Sequence, residues 1–143
     1  MIKERYVNLE VAKLLRNKGF DIPVNYEYHY KIMIPQFHRK KHNFNGIEYH
    51  NCSSEWYSAP TQQMACDWIE EQYGIFIQIN RYNQYYEGRE VIFVTKEDKE
   101  RGHMTMYYAR VFDKHSVSNT TKHYDTIESA YNEALKYALT NLI

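Results

Sequence analysis

A chain of 143 residues suits one domain with its own core. A 43% hydrophobic, 25% charged composition with 18 basic and 18 acidic residues excludes a disordered chain. It also argues against a dedicated duplex-DNA binder, whose affinity rests on neutralising phosphates. The two cysteines, Cys52 and Cys66, are too few to staple a secreted mini-domain. The charged start of the chain leaves no apolar signal core, and no run reaches membrane-spanning length. The expectation is a cytoplasmic protein with reduced thiols and no membrane association.

The first helix is predicted over residues 8–18, with Asn8 as N-cap, Val11, Leu14 and Leu15 as its apolar stripe and Gly19 in the left-handed position after its end. Phe20 is placed to fold back on that end. Residues 24–34 alternate. Val24, Tyr26, Tyr28, Tyr30, Ile32 and Ile34 point one way and Asn25, Glu27, His29 and Lys31 the other, the pattern of a half-buried strand. Pro35 ends it. The aperiodic stretch 36–55, rich in His, Lys and Asn, reads as a long loop in which residues 46–49 can form a short returning strand.

A second helix starts near Pro60 or Thr61 and stops before Gly74, with Met64, Ala65, Trp68, Ile69 and Gln72 on one face and Asp67, Glu70 and Glu71 on the other. Strand-like runs follow at 75–82, 90–95 and 103–112, joined by a tyrosine-rich turn and by a charged turn at 96–102, as in an antiparallel meander. The last helix opens on Asp125 and Glu128, a capping-box pattern. It carries Ile127, Ala130, Tyr131, Ala134, Leu135, Ala138, Leu139 and Leu142 at the helical period. The predicted fold is α+β in the order α-β-(loop)-α-β-β-β-α: an antiparallel sheet of four to five strands with three helices packed mainly on one face.

Three segments together resemble a known group. These are Tyr57-Ser58-Ala59-Pro60-Thr61-Gln62-Gln63-Met64-Ala65 followed by Trp68, the N-terminal stretch Tyr6 to Leu15 with Gly19-Phe20-Asp21, and the terminal Glu128-Ser129-Ala130, Ala134-Leu135-Lys136-Tyr137 and Asn141-Leu142-Ile143. The chain resembles a family of small uncharacterised proteins carried by bacteriophages, prophages and mobile elements of gut Bacteroidales. It departs from that pattern in the His- and Lys-bearing loop 37–51 and at Cys66, where a Met is usual. The resemblance implies a phage or mobile-element accessory protein and carries over no catalytic residue and no cofactor.

Several clusters carry chemistry in principle. Fifteen tyrosines suit half-buried strand positions and binding faces alike. Thr61, Gln62 and Gln63 occupy a helix start, where free amides can bind an anion or simply be capped. His38, His42, His50 and Cys52 are zinc-ligand types without a framing motif, so no metal is expected. Arg39, Lys40, Lys41 and His42 form a basic loop which, with Phe37, Phe44 and Tyr49 nearby, offers a nucleic-acid contact. The second half has the element order of a double-stranded-RNA-binding domain, but its last helix begins with the acidic Asp125-Thr126-Ile127-Glu128 where phosphate-binding lysines are needed. Asp67, Glu70 and Glu71 lie opposite the apolar stripe, and Cys66 has no cationic sequence neighbour, so neither forms an active site on this reading. Arg81, Tyr82, Tyr85, Tyr86, Arg89 and Tyr107 gather aromatic and guanidinium groups around one sheet turn, the residue types of binding hot spots. Arg110 follows on the face of Met106 and Tyr108. The expected function is non-enzymatic binding by a host-takeover or counter-defence factor, with a host protein or small nucleotide signal as partner. A nucleic-acid-binding protein and a virion-associated structural protein are the alternatives.

Overall fold

The computed structural model describes residues 4–29, 36–37, 43–44, 47–48, 56–85, 96–115 and 118–143. Helix α1 (Leu9–Asn17) begins where Asn8 accepts the Val11 amide at 2.9 Å. Its end follows from Gly19, whose φ of +87° lets the Gly19 amide reach the Arg16 carbonyl and the Phe20 amide reach the Leu15 carbonyl, both at 3.0 Å. This pair of bonds folds Phe20 back beside Leu15, and both side chains are buried.

Strands β1 (Tyr26–His29), β2 (Gln36–Phe37) and β5 (Trp56–Ser58) form one antiparallel sheet in the order β2-β1-β5. β3 (Asn43–Phe44) and β4 (Ile47–Glu48) pair as a short hairpin, in keeping with the returning strand expected near residue 46. Residues 30–34 of the strand read over 24–34 lie outside the described residues, and the alternation before them is met only in part. Tyr28 is buried and its hydroxyl donates to the Val7 carbonyl at 2.7 Å, but Glu27, assigned to the polar side, is 4% exposed. Both faces of this sheet are therefore covered, one at Tyr28 and the other at the cross-strand pair Glu27 and Ser58.

Helix α2 (Gln62–Tyr73) is capped by Thr61 Oγ1, which accepts the Met64 amide at 3.2 Å, and it closes on Gly74 at φ +67°. β6 (Phe76–Tyr85) then pairs along its whole length with β7 (His103–Phe112), and β7 pairs with β8 (Ser118–Thr120). The segment 96–102, expected as a turn, contains a helix α3 (Lys96–Arg101) ending on Gly102 at φ +75°. Its alternating acids and bases, three and four residues apart, stabilise a helical turn as readily as a loop. The run predicted at 90–95 lies outside the described residues.

Helix α4 (Ile127–Tyr137) starts one residue later than the expected capping box. Thr126, not Asp125, is the N-cap, and its hydroxyl accepts the Ser129 amide at 3.2 Å. The cause lies upstream: Tyr124 is bonded to Tyr107 in the sheet, which leaves Asp125 to make the turn. A π-helical turn, Ala138–Leu142, follows and buries Ala138 and Leu139.

The expected single sheet with three helices on one face is therefore corrected. Among the described residues the protein is α+β with small separate antiparallel sheets of two and three strands and four α-helices. The helices divide between the sheets: α1 packs on β5, while α2 and α4 pack on the Ile77, Ala109 and Val111 side of β6 and β7. One core joins them, built from Leu15, Phe20, Trp68, Ile69, Leu135 and Leu139 among others. No helix among the described residues is long and apolar enough to cross a membrane.

Candidate binding face

Period-two geometry decides which residues of the β6–β7 hairpin can act together. The cross-strand partners Arg81↔Tyr107, Tyr82↔Met106 and Tyr85↔His103 fix the register. Odd-numbered positions share the helix-covered face with Ile77, Ala109 and Val111, so Arg81, Tyr85 and Tyr107 lie on that face beyond the helices. Tyr85 is 57% exposed there, its ring 5.0 Å from that of His103. Tyr82 stands on the opposite, outer face. The predicted cluster is thus split by the sheet, and Tyr86 and Arg89 lie outside the described residues, as do Arg39, Lys40, Lys41 and His42 of the basic loop.

The outer face holds an aromatic group that the sequence reading did not assemble. Tyr108 and His123 stack at 5.0 Å with 18° between their planes, and Tyr82 meets them edge-on at 6.1 and 5.2 Å. The Tyr82 hydroxyl and His123 Nδ1 are 2.5 Å apart, a hydrogen bond that holds the imidazole in place. His123 is exposed, so the far side of its ring is open to a ligand.

His123 reaches this face through a β-bulge. Thr121 is hydrogen-bonded opposite Ala109, and Tyr124 opposite Tyr107, so three steps on one strand match two on the other. The extra residue brings His123 against Tyr108. At the bulge the Ala109 amide has no backbone carbonyl opposite and is instead accepted by Thr121 Oγ1 at 2.9 Å, while that hydroxyl donates to the Lys122 carbonyl at 3.0 Å.

The chemistry of the rest of the face is one-sided. β6 contributes Phe76, Gln78, Asn80, Tyr82 and Gln84, and β7 contributes Met104, Met106, Tyr108, Arg110 and Phe112. No strand position on it is an Asp or Glu, in a chain with 18 acids. Arg110 is exposed, as is Lys122 in the bulge. Asn80 Nδ2, in the row of Tyr108, is buried and has no hydrogen-bond partner among the described residues. A planar, anionic molecule is the natural complement of such a surface: rings stack on His123, amides read polar edges, and cations meet phosphate.

The other candidate sites resolve differently. The amide of Gln62 donates to the Arg5 carbonyl at 2.8 Å and that of Met64 to Thr61, so the start of α2 is closed by the chain itself rather than open to an anion. Asp67, Glu70 and Glu71 are exposed, and Asp67 accepts from Gln63 Nε2 at 2.8 Å. Burial, reinforced by Asp67 and Glu70, pushes the Cys66 thiol up to about 12, which keeps it protonated at neutral pH. Among the described residues no three His, Cys, Asp or Glu side chains gather as a metal site, and the His38, His42, His50 and Cys52 set lies outside them. A cleft of about 310 Å³ opens beside Tyr73 and His115 and another of about 210 Å³ beside Tyr6 and Met64. Their tyrosines serve the fold, Tyr73 donating to the Lys18 carbonyl at 3.3 Å and Tyr6 to the Glu4 carboxylate at 2.7 Å.

No protein-family model, no curated protein and no solved structure matches this chain. The class defined by the described residues is an α+β protein with a half-buried aromatic sheet face on which Phe76, Arg110, Lys122 and His123 are exposed.

Proposed function

We propose that the protein acts by binding, and that its ligand presents a nucleobase to the outer face of the β6–β7–β8 sheet. The observation that carries this reading is the Tyr82–Tyr108–His123 group: a stacked pair locked by a tyrosine hydroxyl, with the imidazole open to a further ring. The carboxylate-free strand positions around it, with Arg110 alongside, suit an anionic ligand, and the stacked rings suit a nucleobase. In the phage or mobile-element setting implied by the sequence resemblance, a factor of this kind sequesters a host nucleotide signal and so blunts defence. A host protein is the second reading, favoured by Tyr85 and Arg81, exposed on the opposite face beside a half-buried His103.

Thermal unfolding against a panel of mononucleotides and dinucleotides tests the proposal. A ligand at 100 times its Kd stabilises the native state by ~2.7 kcal/mol, and the shift should vanish in His123→Ala and Tyr82→Ala. A nucleotide shift that both variants retain would place binding elsewhere.

A further inference from the structure

The outer face carries a second aromatic platform. Phe76 and Phe112 pair across β6 and β7 with ring centroids 6.2 Å apart, and Phe76 is 48% exposed, unusual for phenylalanine in a strand. Phe112 and Tyr108 lie on the same face of β7, four residues and therefore about 13 Å apart. Midway between them is Arg110, exposed, with Gln78 directly across on β6 and Thr120 directly across on β8. Along β7 the face thus reads ring, guanidinium, ring.

Resting on the nucleobase-binding reading, we infer that the ligand is a short single strand of nucleic acid laid along β7, one base on the Tyr108–His123 platform, another on Phe76–Phe112, and a phosphate between them at Arg110. A mononucleotide is too short to span both platforms, whereas about three unstacked nucleotides cover the distance. Aromatic platforms of this kind bind single strands with little regard to sequence, because each base offers a π face. Duplex is excluded by the same geometry, since its bases are buried in the stack. With Arg110 and Lys122 each meeting one phosphate, two phosphates are neutralised. The plot of log affinity against log salt should then slope by about −1.4, from ~0.7 per phosphate for single strands. Recruitment of Arg39, Lys40 and Lys41 would at least double that slope.

Fluorescence anisotropy with oligothymidylates and oligouridylates of one to six nucleotides decides the matter, on the parent and on Phe76→Ala, Arg110→Gln and His123→Ala. All three substitutions are at exposed positions, and melting curves verify folding. Affinity should rise up to about three or four nucleotides and then level off. Phe76→Ala and Arg110→Gln should each lose roughly 10-fold on the longer strands and under about 2-fold on a mononucleotide, while His123→Ala loses on both. Equal affinity for one and six nucleotides, or a hexanucleotide indifferent to both Phe76→Ala and Arg110→Gln, overturns the two-platform inference and leaves the proposed function standing. Failure of the parent to bind any nucleotide overturns both.

Discussion

Replacing Thr121 by valine tests the device that aims His123 at the face. Valine keeps the β-branched shape and removes only the hydroxyl. In the parent that oxygen accepts the Ala109 amide at 2.9 Å, and Ala109 is 0% exposed, so no water can take over. An unpaired buried donor costs about 1–3 kcal/mol. Unfolding entropy of ~2.1 cal/mol/K per residue gives ~0.3 kcal/mol/K for 143 residues, so the melting temperature should fall by roughly 3–10 °C. Urea titration measures the loss, and amide hydrogen exchange at Ala109 locates it, because protection there should drop more than at Val111, whose ladder is intact. Thr121→Ser, which retains the oxygen, should lose less than half as much. A Thr121→Val variant as stable as the parent, with Ala109 equally protected, would refute the bulge account.

Other consequences follow from the core and caps. Leu135→Asp places a charge at a fully buried α4 position and should abolish cooperative unfolding; parent-like melting would mean that the stripe does not face a core. Asn8→Ala removes the acceptor for the Val11 amide and should cost about 1 kcal/mol in urea denaturation. Cys66 and Tyr28, pushed up to about 12 by burial from ordinary values of 9.0 and 10.0, hold their protons longer when folded than when unfolded. Their contribution is therefore full below about pH 9 and is lost as pH rises toward 12, so urea midpoints should decline over that window and Cys66 should resist alkylation at pH 8 until the protein unfolds. Elemental analysis of the purified protein should find no stoichiometric zinc; one zinc per chain lost on replacing His38 and His42 would contradict this.

The helices were the most legible part of the sequence because their signals are local. Asn8, Gly19, Thr61 and Gly74 each terminate a helix through bonds within a few residues, and the structure uses all four as caps or turns. The β6–β7 strands were legible as strands, but grouping Arg81 with Tyr82 overlooked their alternation, since neighbouring strand residues face opposite ways. Register parity alone separates Tyr82 from Arg81 and Tyr85. His123 could not be found this way: residues 118–124 show no period, and the bulge that turns the imidazole is set by long-range pairing with Tyr107 and Ala109. The division into separate sheets was equally hidden, because β1 pairs with β5 across a stretch with no repeating pattern, and hydrophobic alternation does not name a partner strand.

Amide chemical-shift mapping by two-dimensional NMR, titrating a short oligothymidylate into the labelled protein, shows where a single strand binds. Perturbations should centre on Tyr82, Tyr108, Arg110 and His123 and extend to Phe76 and Phe112, with Tyr85 and the loop 39–42 little changed. Perturbations centred on residues 39–42, or on the Arg81 and Tyr85 side of the hairpin, would contradict binding at the outer face.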